Sequence, residues 1–66
     1  MLKNDVTKRL DELQGCEKLE FVMIDGIRRT VHMQSLHNYE DAEILESPTY
    51  NFKTFYCSIA EIHPCS

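Results

Sequence analysis

Apolar and polar positions repeat with a helical period near the N-terminus and with a strand period through most of the remaining chain. Val6, Leu10 and Leu13 fall at i, i+4 and i+7 and make one apolar stripe on a charged segment. Asn4 or Asp5 offers a side-chain oxygen to cap the first turn, Asp5 and Arg9 stand in the favourable i, i+4 order, and Gly15 offers a left-handed stop. The spacing predicts a helix over about residues 5–14, with one apolar face that must lie on something.

Leu19, Phe21 and Met23 then alternate with Glu20, Val22 and Ile24, and Ile27, Arg29, Val31 and Met33 alternate with Arg28, Thr30, His32 and Gln34. Both runs read as strands, over about residues 18–24 and 27–36, joined at Asp25-Gly26. A two-residue loop would put Leu19, Phe21 and Met23 on the face opposite Val31 and Met33. A three-residue loop, Ile24-Asp25-Gly26, pairs Met23 with Ile27, Phe21 with Arg29 and Leu19 with Val31. The apolar residues then share one face, so the longer loop is expected, with Gly26 left-handed in a bulge. Arg29 at the edge of that apolar face is the cost of this register.

His37 to Asp41 reads as a loop. Ala42 to Glu46 reads as a short strand around Ile44 and Leu45, and Ser47 to Asn51 as a turn with Pro48 at its first corner. Two further strands are expected over about residues 52–59 and 60–63, with Cys57 as a small core residue. The expected fold class is α+β and mostly β: one domain over residues 1–66, with an N-terminal helix and a strongly curved antiparallel meander of about four or five strands rolled into a small barrel.

Length limits what such a domain can do alone. A chain of 66 residues buries a marginal core, and domains of this size usually add a disulfide, a metal or a partner subunit. Three cysteines, Cys16, Cys57 and Cys65, leave one unpaired in any disulfide scheme. The chain opens on a charged amphipathic stretch rather than a secretory leader, so reduced thiols and a cytoplasmic location are expected. The cysteines and His32, His37 and His63 form no CxxC or HxxxH pair, so no metal or other cofactor is expected. A homo-oligomer is the remaining staple, with Phe55, Cys57, Ile59 and Ile62 on its edge strands.

The net charge is −4 and the isoelectric point about 5.2, which gives no bulk attraction to a phosphate backbone. The charge is uneven. Lys3, Lys8, Arg9, Lys18, Arg28 and Arg29 lie in the first half, whereas Thr30 to Phe52 holds no Lys or Arg but contains Glu40, Asp41, Glu43 and Glu46. Catalysis is not expected. Cys57 with His32 or His63 is the one conceivable nucleophile and base, and an apolar strand would raise its pKa rather than activate it. Glu40 and Asp41 are adjacent on a loop with no pocket to tune them.

The order of elements resembles the Sm-like family, including its bacterial Hfq branch. Val22-Met23-Ile24-Asp25-Gly26-Ile27-Arg28 is similar to that family's hydrophobic strand, Asn/Asp-Gly turn and strand restart. Leu36-His37-Asn38-Tyr39 stands where the family has Phe-Asp-x-aromatic, Ile44-Leu45 stands at its third strand, and Ser58 to Pro64 is similar to the Ile-Ser-Thr-Val-Val-Pro ending of Hfq. The family's usual glycine in the bent second strand is replaced near Val31, His37 replaces the aspartate, and Phe55-Tyr56-Cys57 replaces the Tyr-Lys-His of the Hfq uridine pocket. The resemblance implies a ring in which the fourth strand of one subunit pairs with the fifth of the next, and an RNA-binding role. His37, Asn38 and Tyr39 would stack bases, and Arg28, Arg29 or Lys53 would meet phosphate. The acidic Rof family, inhibitors of the termination factor Rho, is a second Sm-like relative similar in fold and charge. It implies the alternative of a protein-binding regulator, with Glu40, Asp41, Glu43 and Glu46 facing a basic RNA-binding partner.

Overall fold

A computed structural model describes residues 1–39 and 44–65, apart from the side chains of Asn38 and Tyr39. The order of elements is helix α1 (Lys3–Glu12), β1 (Lys18–Met23), β2 (Arg28–His32), β3 (His37–Tyr39), β4 (Ile44–Ser47), β5 (Phe52–Phe55) and β6 (Ile59–Cys65). Three short 3-10 turns, Met33–Ser35, Pro48–Tyr50 and Tyr56–Ser58, sit between β2 and β3, β4 and β5, and β5 and β6.

The hairpin of β1 and β2 follows the apolar parity. Leu19 stands opposite Val31 and Phe21 opposite Arg29. The Met23 amide donates to the Ile27 carbonyl at 2.8 Å, which closes the three-residue loop. Gly26 takes φ +88°, and the Ile27 amide donates to Asp25 Oδ1 at 3.0 Å, so the loop is set by one left-handed glycine and one side-chain turn. Leu19, Phe21 and Val31 are buried, and Met23 and Met33 pack against them. Ile27 does not join that wall: it is 56% exposed, because it lies at the loop, beyond the reach of the helix and the second sheet. Arg29 is carried by its stem: its guanidinium carbon lies 5.5 Å from the centroid of the Phe52 ring, so the residue covers the core edge while its charge stays in water.

The strands form two antiparallel three-stranded sheets, ordered β2-β1-β6 and β3-β4-β5, and no ladder closes them into a barrel among the described residues. The chain passes between the sheets through 3-10 turns rather than continuous bent strands. After His32 it turns at Met33–Ser35, where Ser35 Oγ donates to the His32 carbonyl at 2.9 Å. It resumes as β3, so residues 37–39 are a strand paired with β4 and not part of a loop. The second passage is Tyr56–Ser58, which splits the expected long strand into β5 and β6 and puts its halves in different sheets. Tyr56 thereby turns inward, 1% exposed, and Cys57 turns outward to solvent rather than into the core.

The sheets enclose one core with α1 laid across it. Val6, Leu10 and Leu13 meet Leu19, Phe21, Val31, Leu45, Phe52, Tyr56, Ile59 and Ile62. Phe21 and Phe52, one from each sheet, pack edge to face with centroids 5.2 Å apart. The helix starts earlier than its spacing predicts, with Leu2 at the cap position and no side-chain cap from Asn4 or Asp5. Tertiary bonds anchor it instead. Arg9 Nε donates to the Ile62 carbonyl at 2.9 Å, and the terminal amine of Met1 donates to the carbonyls of Tyr56 and Ile59. Leu13 ends the helix at φ −103°, and Gly15 is not left-handed. Ser47 is the buried polar residue of the second sheet. Ser35 spends its single proton on His32, so the Ser47 hydroxyl donates to Ser35 Oγ, at 2.6 Å.

Candidate nucleic-acid interface

Strand parity divides the second sheet into two faces. Leu45 and Ser47 on β4 point into the core with Phe52, while Ile44 and Glu46 stand on the other side. In register, Ile44 pairs with Phe55 and Glu46 with Lys53, and across the other ladder Tyr39 is opposite Ile44 and His37 opposite Glu46. The outward face therefore carries a polar row, His37–Glu46–Lys53, beside an apolar pair, Ile44 and Phe55. Phe55 is 58% exposed, an unusual position for a phenylalanine in so small a domain. Ile44, Lys53, Thr54 and Phe55 line a shallow concavity of about 300 Å³. A flat apolar ring beside an ammonium group on an open sheet is the arrangement that stacks an unpaired base and holds its phosphate.

A second concavity, of about 350 Å³, lies at the seam where the chain changes sheets, between the end of β2 and the turn Pro48–Tyr50. His32 and Tyr50 stack there, centroids 5.4 Å apart and planes 18° from parallel. His37 lines this hollow and also belongs to the outward face of β3-β4-β5, so it joins the two.

Among the residues expected to bind RNA, the structure brings His37 and Lys53 onto one sheet, with Tyr39 in register beside Ile44. Asn38 is opposite Leu45, one residue out of step with them. Arg28 and Arg29 belong to the other sheet, and Arg28 is committed to Glu20, Nη1 to Oε1 at 3.1 Å. Of the expected acidic patch, Glu40, Asp41 and Glu43 lie outside the described residues. Glu46 is half-buried between the register positions of His37 and Lys53, and the Lys53 ammonium opposes its charge. Among the expected oligomer-edge residues, Phe55 and Cys57 are exposed, whereas Ile59 and Ile62 are core side chains.

The residues considered for catalysis are occupied separately. His32 is stacked on Tyr50, His63 Nε2 is 3.1 Å from Glu61 Oε1, and Cys57 is exposed in its turn. Among the described residues no three metal-ligating side chains converge, and no helix is long and apolar enough to cross a membrane. Tyr50 and His32 were not singled out from sequence as binding residues, and Phe55 was assigned to an edge rather than a face. Comparison with known families, with curated proteins and with solved structures finds no match to this chain.

Proposed function

We propose that this chain is a non-enzymatic Sm-like binding module that takes single-stranded RNA on the outward face of β3, β4 and β5. The observation that carries the reading is Phe55, more than half exposed next to Ile44 and Lys53 on the outward face of the second sheet. A helix followed by a tight hairpin, a strand that turns from one sheet to the next, and a 3-10 turn before the last strand supports the Sm-like part of the reading.

Self-association is the second part. β5 and β6 are the outer strands of their sheets, and each offers an edge. The two edges differ. The β6 edge is already engaged at Ile62 by Arg9 and includes Pro64, which has no N–H to donate. A ring joining β5 of one copy to β6 of the next would have to release Arg9. The β5 edge requires no such change, so it is where copies would meet.

Fluorescence anisotropy with A-rich and U-rich oligonucleotides at low salt tests RNA binding. Micromolar binding to wild type, lost on the order of tenfold in Phe55→Ala, is expected for a base-stacking aromatic. Absence of binding, or equal binding by both proteins, would refute it. The net charge of −4 favours one other reading, a regulator that meets a basic protein surface. Salt-sensitive capture of a basic RNA-binding protein, with no oligonucleotide binding, would select that reading. Light scattering after size exclusion reports on association: a clean monomer would remove it.

A further inference from the structure

From the seam between the sheets we infer a mononucleotide subsite, in which one base stacks on Tyr50 and its phosphate is held by the polar groups around the hollow. The inference rests on the RNA-binding reading above and extends it to residues outside the sheet face.

The lining consists of His32, Gln34, Ser35, His37, Thr49 and Tyr50. Apart from Ser35, whose hydroxyl proton is taken by the His32 carbonyl, each has a side-chain group able to donate a hydrogen bond. Among the described residues none of the lining is acidic, in a chain with 11 Asp and Glu against 7 Lys and Arg. A hollow rich in donors, with no carboxylate among its described lining residues, favours an oxyanion. The ring pair adds a second selection. His32 lies against one face of Tyr50. Tyr50 nonetheless keeps 36% of its surface in water, enough to offer a stacking surface. Because the rings are already stacked, Tyr50 is held before any ligand arrives, and less side-chain freedom is lost on binding. A flat ring joined to a phosphate is the ligand that meets both selections.

The surroundings are mixed in charge. Lys18 is opposite His32 in the β1–β2 register, and Glu46 is opposite His37 with Lys53 beyond it. His37 also continues the row that leads to Lys53, beside Phe55. An RNA strand laid from Phe55 past Lys53 and His37 to Tyr50 would meet an aromatic ring at each end, with Lys53 and His37 between them on either side of the Glu46 carboxylate. Two such subsites on one strand bind more tightly than either alone.

Amide NMR of the full chain with adenosine 5′-monophosphate, adenosine and inorganic phosphate tests the subsite, alongside anisotropy with an A-rich oligonucleotide. The monophosphate is expected to shift His32, His37 and Tyr50 at lower concentration than either fragment. Tyr50→Ala is expected to weaken the oligonucleotide about tenfold, the usual loss for a stacking ring, while Tyr50→Phe retains binding. The Tyr50→Phe spectrum separates a binding defect from a folding defect. Phosphate shifting these amides as strongly as the nucleotide would overturn the inference, as would a nucleotide that leaves them unmoved. Oligonucleotide binding that depends on Phe55 but not on Tyr50 would remove the subsite and keep the RNA reading. A nucleotide seated at Tyr50 with no oligonucleotide binding would remove the RNA reading and keep the subsite.

Discussion

Replacing Tyr56 by phenylalanine should make this domain more stable. The Tyr56 ring fills the core beside α1, but its hydroxyl oxygen is buried with no hydrogen-bond partner among the described residues. A buried hydroxyl that has left water without a replacement bond costs about 1–3 kcal/mol in protein mutational data. Removing it leaves a gap one atom wide and forfeits part of the ring's contacts, so the net gain should be about 1 kcal/mol. For a domain of this size that raises Tm by about 4–8 °C. In urea it moves the midpoint by about 1 M with the slope unchanged. Far-UV circular dichroism is the suitable probe, since the chain has no tryptophan.

The pH dependence gives a second reading of the same atom. Burial raises the Tyr56 phenol above its ordinary value of 10.0. The folded state then keeps a proton that the unfolded state gives up. The associated stability is complete below about pH 10 and declines as pH rises from there through the folded-state pKa. Tyr56→Phe lacks that decline, so its advantage over wild type should widen in alkali. A variant less stable than wild type by more than about 0.5 kcal/mol, the scatter of ordinary substitutions, would show that the hydroxyl is satisfied, and the reasoning would fail.

Two further predictions concern the backbone and the Ser35–Ser47 pair. Gly26→Ala should cost about 1 kcal/mol by denaturant melt, from its left-handed φ alone, because a Cβ there meets nothing within 4 Å; a neutral result would mean the loop adopts another conformation. Ser47→Ala should cost about 1–2 kcal/mol by the same measurement. The double variant Ser35→Ala, Ser47→Ala should cost less than the two single costs combined, since the hydroxyls serve each other; full additivity would place their partners elsewhere.

The hairpin was legible because two independent signals agreed. Apolar parity on Leu19, Phe21, Val31 and Met33 demanded one register, and Asp25-Gly26 supplied a turn that permits it. Where one signal was missing the reading failed. Phe52, Phe55, Tyr56, Cys57 and Ile59 crowd a short stretch with no clean alternation, so the 3-10 turn inside it left no trace and Cys57 was placed in the core. Residues 37–39 carry two polar side chains, which looks like a loop, yet β4 gives them backbone partners and only one face to bury. Ile27 obeyed the parity and still lies in water, because parity specifies a face and not how far along it the covering elements reach. In the candidate site, His37 and Lys53 were found as exposed groups of suitable chemistry. The pairing of His32 with Tyr50 joins β2 to a turn well along the chain, and no local pattern reports such a meeting.

The pairing of β1 with β6 bears on the order in which the chain is made. Leu19 and Phe21 emerge early and find β2 within a dozen residues, but their other flank stays open until the segment from Ile59 onward emerges. During synthesis the first sheet is therefore incomplete until β6 emerges, with a bare strand edge on an apolar hairpin. The closing step joins residues some forty positions apart, which makes it slow compared with the hairpin. A nascent chain stalled before β6 would expose the surface most prone to pairing with a neighbour, so the synthesis of Ile59–Cys65 decides whether the first sheet closes or aggregates.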